Sequence, residues 1–263
     1  MGMLSAAWKY RGFIWGSVVR EFHSKYSQSM LGMAWMVIHP AALIVVYTVI
    51  FSEVMNARLP GASGGLSYSI YLCAGLLTWG LFSDISGRSL NMFIENGNII
   101  KKINFPRVVL PLIVVASGLI NFSIIFSLFF IFLIFSGEWP GWSFFWVFVI
   151  IAVELLLAIG LGLVLGVLNV FFRDVGQFFG IILQFWFWLT PIVYPSNILP
   201  MPLRDVLYWN PMTVLTVNYQ QLFLHKQPPD LINMWWPFFL GCALCVFGME
   251  LFRRHAGDMV DEL

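Results

Sequence analysis

Long apolar runs alternate with short polar segments along this chain, and the spacing of the runs predicts membrane-crossing helices. A helix needs about 20 apolar residues to traverse hydrocarbon. Six windows qualify: Gly32–Val54, Tyr68–Met92, Val108–Ser136, Ser143–Asn169, Val175–Tyr194 and Leu231–Phe252. The stretch before the first window follows a different rule. At 100° per residue, Leu4, Trp8, Trp15, Val18, Val19, Phe22 and Tyr26 gather within about 60° of one direction, with Lys9, Arg20, His23 and Ser24 elsewhere. A basic amphipathic helix carrying Trp on its apolar face lies in a membrane interface. Residues 1–29 therefore predict an interface helix, and Gln28–Gly32 the turn into the bilayer.

The segment Pro195–Asp230 breaks the pattern. Seven of the thirteen prolines fall between Pro191 and Pro229, which excludes one long helix. LRDVLYWN and MTVLTVNYQQLFL read as two short helical pieces separated at Asn210–Pro211. Neither can span, and both are too aromatic for a solvated loop. They predict short re-entrant helices on the outer face, tolerated where protein shields them; a surface cap is the plainer reading.

Composition agrees with the pattern. The 263 residues are 60% hydrophobic and 10% charged, with mean hydropathy +0.84. A soluble domain carries roughly 25% charge, so this chain reads as an all-α integral membrane protein in one domain, residues 30–263 forming a six-span bundle. The net charge of +1 gives no sign of nucleic acid. Lys9, Arg11, Arg20, Lys25, Arg88, Lys101, Lys102, Arg107, Arg173, Arg253 and Arg254 fall on one side of the predicted bundle, against Arg58, Arg204 and Lys226 on the other. The positive-inside rule then places both termini in the cytoplasm. With no uninterrupted apolar stretch in residues 1–25, a cleavable signal peptide is not expected.

Candidate chemistry is sparse. No GxxxxGK[ST] loop is present to cradle nucleotide phosphates. Gly162 and Gly166 form a GxxxG, for which close helix packing is the expected role, and Cys242 and Cys245 read as small packing residues rather than metal ligands. Asn121 heads a formal glycosylation site inside a span and is expected to be inert. Asp84 and Arg88, four apart on one helix face, are expected to pair. Glu154 stands mid-span, where an ionisable group faces the bundle interior or a wet pathway; a tie between helices is the alternative. Phe185, Trp186, Phe187 and Trp188 are the densest aromatic cluster. Flat rings suit a sliding glycan, Trp186 and Trp188 first, although packing rings look the same in sequence.

Several segments together carry a resemblance: REFHSKYSQSMLGMAWMVIHP (20–40), YTVIFSEV (47–54), NGNIIKKINFPRVVLP (96–111), NVFFRDVGQF (169–178), LTPIVYP (189–195) and WNPMTVL (209–215). In this order they resemble the membrane subunits of ABC-2-type exporters of lipid-linked polysaccharide, the O-antigen permeases above the capsule and teichoic-acid ones. The resemblance implies a homodimeric pore in the bacterial inner membrane and two copies of a separate cytoplasmic ATPase that binds the ATP and Mg. No cofactor or metal is then expected on this chain, which is not itself an enzyme. It also implies a coupling helix at Glu95–Arg107, with Glu95, Lys101, Lys102, Phe105, Pro106 and Arg107 facing the ATPase. Arg20, Lys25, Tyr26 and Gln28 would line a gate that meets the lipid head group of the substrate. Generic attraction of Arg20 and Lys25 to anionic membrane lipid is the plainer account of those charges.

Two other classes compete. A polytopic glycosyl- or acyltransferase would want His, Asp or Glu clustered on loops of one side, which this chain lacks. A self-sufficient secondary transporter would carry broken helices in both halves, whereas the proline break here lies in the second half alone.

Overall fold

The structure is a computed structural model that describes residues 8–27, 29–50, 66–97, 101 and 109–262, with Lys25 and Tyr26 by backbone alone. The principal helices are α1 (Arg11–Tyr26), α2 (Trp35–Thr48), α3 (Ser67–Glu95), α4 (Val109–Phe135), α5 (Val147–Phe171), α6 (Asp174–Trp188), α7 (Met201–Leu207), α8 (Pro211–His225), α9 (Leu231–His255) and α10 (Asp258–Glu262). No strand occurs among the described residues.

Among the described residues, four helical stretches are long and apolar enough to cross a membrane: Ser67–Glu95, Val109–Phe135, Gly141–Phe171 and Leu231–His255. They match the second, third, fourth and sixth predicted windows within a few residues. The first window is shorter than expected within the described residues. A 3-10 turn at Gly32–Ala34 leads into α2, which carries Pro40 inside it, and residues 51–65 lie outside the described residues. The fifth window was expected to run to Tyr194, but α6 stops at Trp188. Pro191 is the cause: it disfavours helical backbone at Thr190, and the last turn tightens as the Thr190 N–H donates to the Phe187 carbonyl at 3.2 Å.

α5 is the hub. It packs along α9 on one side and α3 on the other, and α8 fills the remaining space against α3. Two sets of small residues make this possible. A Cβ added at Gly162 would stand 2.2 Å from the Ser89 Cβ, and one at Gly166 would stand 2.7 Å from the Ser89 carbonyl oxygen. Toward α9, a Cβ at Gly160 would come within 2.8 Å of the Cys245 backbone nitrogen, and one at Gly241 within 2.9 Å of the Leu157 nitrogen. Lipid tails are as apolar as the side chains, so such close backbone approach, rather than burial from water, holds membrane helices together. The GxxxG motif works as expected, and Cys245 joins it by donating its thiol to the Leu156 carbonyl at 3.3 Å.

Three of the long helices, α3, α5 and α9, also share a direction. Phe93 near the end of α3 stacks on Phe252 near the end of α9 at 5.1 Å, and Phe171 at the end of α5 meets His255 at 5.8 Å. Their C-terminal ends therefore converge. Lys101, Arg173, Arg253 and Arg254 follow or close these ends, so the basic residues described there gather at one pole of the bundle. Arg204 and Lys226 belong to the segments at the opposite pole.

Because Gly162 has no free space, Gly162→Ala should destabilise the protein by about 1–3 kcal/mol through overpacking. Gly87→Ala on α3, where a Cβ meets nothing within 4 Å, should be neutral or stabilising by up to about 1 kcal/mol. Unfolding titrations of both variants in detergent measure the difference. Equal stabilities would mean that the α3–α5 contact tolerates separation.

Candidate functional site

At the basic pole a charged cluster joins three helices. The Arg88 guanidinium donates from Nε to Asp84 at 2.8 Å, the pairing that the four-residue spacing predicts. It also reaches across to Glu21 of α1. The second Glu21 oxygen accepts from the Ser117 hydroxyl of α4 at 2.7 Å. Glu21 thus ties α1 to both α3 and α4. In sequence this acid stands among basic residues that mask it. Its signal was present: Glu21 lies one turn from Val18, the residue of α1 most deeply buried, at 1% exposure.

That arrangement redefines the faces of α1. Val18 and Glu21 turn toward protein, while Trp8 and Trp15 of the predicted apolar face are exposed. Exposed Trp beside a protein-facing acid is the pattern of a helix with one side in lipid and one side docked. Of the four residues expected at a gate, Arg20 is exposed, bonds Ser17 of its own helix at 2.9 Å, and lies over the Phe13 ring at 5.8 Å. Lys25 and Tyr26 close α1, and Gln28 lies outside the described residues. Of the six coupling residues, Glu95 ends α3 and is exposed, as is Lys101. Lys102, Phe105, Pro106 and Arg107 lie outside the described residues.

At the opposite pole, the chain after α6 is strapped to α3 by its carbonyls. The Tyr71 hydroxyl is shared between the carbonyls of Pro191 at 3.0 Å and Tyr194 at 2.8 Å, and Tyr68 donates to Val193. Gln220 of α8 donates to the same Pro191 carbonyl at 3.0 Å. Non-helical backbone at membrane depth requires such partners. Asn210 then organises the break. Its side-chain oxygen caps α8 by accepting from the Met212 N–H at 3.0 Å, and it also accepts from the Trp186 indole at 2.7 Å. Pro211 follows at the first helical position, where its missing N–H costs nothing.

The four clustered aromatics are consequently divided. Trp186 packs edge-on to Phe82 at 5.2 Å, and Phe187 does so to Trp79 at 5.7 Å. Phe185 and Trp188 remain 68% and 64% exposed. They project from α6, whose single fully buried side chain is Phe179. α7 is exposed, whereas most of α8 is buried against α3, α5 and α9.

Glu154 lies wholly inside the core with no exposed surface. It faces Tyr219 of α8 and Phe82 of α3, yet neither carboxyl oxygen nor the Tyr219 hydroxyl completes a well-formed hydrogen bond. Asn169, also missed in sequence, bonds the Leu90 carbonyl at 3.2 Å and accepts from the Gly176 N–H at 3.0 Å. It pins the turn between α5 and α6 to α3. Among the described residues, no three His, Cys, Asp or Glu side chains come together to hold a metal ion.

Residues 13–224 match the sequence profile of the ABC-2 type transporter family, from within α1 to the last turn of α8. Among curated proteins, the O-antigen export system permease protein RfbA of Klebsiella pneumoniae is 30% identical over 237 residues, covering 89% of this chain and 88% of the relative. The protein of that name from Myxococcus xanthus is 31% identical over 225 residues, covering 85% and 84%. The polysialic acid transport protein KpsM of Escherichia coli is 24% identical over 247 residues, covering 92% and 93%.

If Glu21 and Arg88 hold α1 in place, loosening them should expose Val18. The pair is partly exposed, so its contribution should be about 1 kcal/mol, or about fivefold in the undocked population. A cysteine at Val18 should react with maleimide about fivefold faster in E21Q and R88A backgrounds, while a cysteine at the exposed Trp15 should be unaffected. Unchanged rates at Val18 would show that apolar contacts alone dock the helix.

Proposed function

The chain belongs to the ABC-2 type transporter family, and from that premise we propose that it is the membrane permease of an exporter moving undecaprenyl-linked O-antigen polysaccharide outward. The observation that carries this reading is near-full-length similarity, at 30–31% identity, to permeases named for O-antigen export, against 24% to a polysialic acid transport protein. It favours O-antigen over capsular polysaccharide or teichoic acid as cargo. A membrane glycosyl- or acyltransferase finds no support in the family or in the scattered ionisable residues.

Two copies of this chain form the pore in the bacterial inner membrane, and two copies of a cytoplasmic ATPase, holding ATP and Mg, supply the work. The chain forms one ABC-2-type transmembrane domain with six spans. α2 with the residues after it is the first, and α6 with the strap to Tyr194 is the fifth. α7 and α8 are the re-entrant pair, with the burial of α8 supporting that assignment. The basic pole, and with it both termini, faces the cytoplasm. There Glu95–Arg107 couples to the ATPase, and Arg20, Lys25, Tyr26 and Gln28 meet the head group of the lipid-linked substrate. Because Glu154 is enclosed within one chain, it acts as a tie between α5 and α8 rather than as part of a wet pathway. The exposed Phe185 and Trp188 are the rings offered to the passing glycan, with Trp186 and Phe187 behind them.

The coupling segment tests the assignment. Surface charges contribute about 0–1 kcal/mol each to stability, whereas like charges brought together at a docking face cost several kcal/mol. K101E/K102E/R107E should therefore insert and dimerise normally but lose the ATPase on co-purification, with glycan export abolished in cells. Normal recovery of the ATPase together with normal export would remove this segment from the mechanism. A second measurement addresses the rings. Phe185→Ala and Trp188→Ala should slow export several-fold without lowering protein yield, whereas Trp186→Ala should lower yield by releasing Asn210. Normal export by both exposed-ring variants would sink the sugar track on α6.

A further inference from the structure

A cavity of about 620 Å³ lies between α2, α3 and α4. Its size falls in the range of sites for small amphiphiles, and its wall has their usual make-up, mostly apolar with a few convergent polar groups. Leu77, Phe122 and Phe129 represent the apolar part; Asp84, His39 and Asn121 are polar. The carboxylate of α3 marks one end. α3 runs toward the basic pole, so Asp84 lies at that end and Cys73 lies at the far end, about 16 Å away at 1.5 Å per residue. That length matches one leaflet of hydrocarbon, about 15 Å.

The level of the membrane surface is marked independently. Trp8, just before α1, and Trp15 on it are exposed, and α1 docks through Glu21 onto Arg88, one helical turn from Asp84. The polar end of the cavity is thus close to the interface, and its apolar length runs inward from there. Charge selects among lipids. Two carboxylates, Glu21 and Asp84, share one guanidinium, and the Asp84 Oδ2 is buried without any hydrogen-bond partner. This end offers an acceptor and excess negative charge. It suits a cationic hydrogen-bond donor and repels an anionic group, which distinguishes the cavity from a site for the phosphate of a lipid-linked substrate.

We propose that this cavity binds one hydrocarbon chain of an inner-leaflet phospholipid whose ammonium head group sits at Asp84, with Glu21 adding negative charge behind it. The lipid braces α2, which packs only lightly on α3 and α4, and it couples the docking of α1 to the position of the first span. The proposal rests on the reading of the basic pole as cytoplasmic.

Gly80 provides the test, because it lines the cavity and a Cβ there meets nothing within 4 Å. Gly80→Phe fills the space without displacing a neighbour. The full-length protein, with whatever partner co-purifies, is reconstituted in nanodiscs of equal parts phosphatidylethanolamine and phosphatidylglycerol, extracted, and weighed by native mass spectrometry. Wild type should retain one phosphatidylethanolamine per chain about tenfold over phosphatidylglycerol. G80F should lose about tenfold in that occupancy with an unchanged melting temperature. Should G80F fail to insert, Leu43→Trp blocks the same space from α2 and should give the same loss. Wild-type occupancy in a cavity-filled variant, or equal retention of the two lipids, overturns the proposal. Occupancy is read without cargo, so it stands apart from the transport assignment, whose failure appears as absence of a co-purifying ATPase.

Discussion

In hydrocarbon, helices gain nothing from hiding apolar side chains from each other, so the bundle depends on how closely backbones can approach. α5 satisfies that constraint on two faces at once. Gly162 and Gly166 admit Ser89 of α3, and Gly160 admits the backbone of α9, which returns Gly241 and Gly248. Each contact gains dispersion over many atom pairs, individually about 0.1–0.2 kcal/mol. With α3 and α9 fixed against α5, their C-terminal ends must lie together, and so must the charged residues that follow them. The electrostatic polarity of the molecule is therefore a consequence of glycine placement.

The second requirement is that every backbone group away from water finds a partner. Helices meet it internally, which is why the departures from helix are the most heavily bonded parts of the chain. The proline-rich strap after α6 spends its carbonyls on Tyr68, Tyr71 and Gln220. The start of α8 uses Asn210, and the start of α9 uses Asp230, whose carboxylate accepts from the Ile232 N–H at 3.0 Å. At the end of α8, Lys226 takes a left-handed conformation, while its carbonyl accepts from Ser143 and its ammonium pairs with Glu138 at 3.0 Å. α8 is thereby held at both ends, which allows a short helix to sit inside the bundle.

α1 is attached differently. Among its described side chains, Val18 alone is deeply buried, and Glu21 is the charged anchor. Such docking is weak compared with the interlocked α3–α5–α9 core, and it lies beside the cavity under α2.

Periodicity alone determined much of this protein. Hydrophobic length located the four long spans within a few residues, because a bilayer imposes its thickness on any helix that crosses it. Proline placed the break at Asn210–Pro211, and the GxxxG announced a close approach, since both act through local backbone geometry. What the sequence left open depends on which faces meet. Whether Trp186 or Trp188 points outward was decided by Asn210, 24 residues away in the chain for Trp186. Where the chain beyond Trp188 is held was decided by Tyr68, Tyr71 and Gln220, all distant in sequence. Glu21 looked like one charge among several until folding brought it to Arg88, 67 residues on. A side chain's role in a membrane bundle is set by its neighbour across the helix interface, and tertiary structure alone chooses that neighbour.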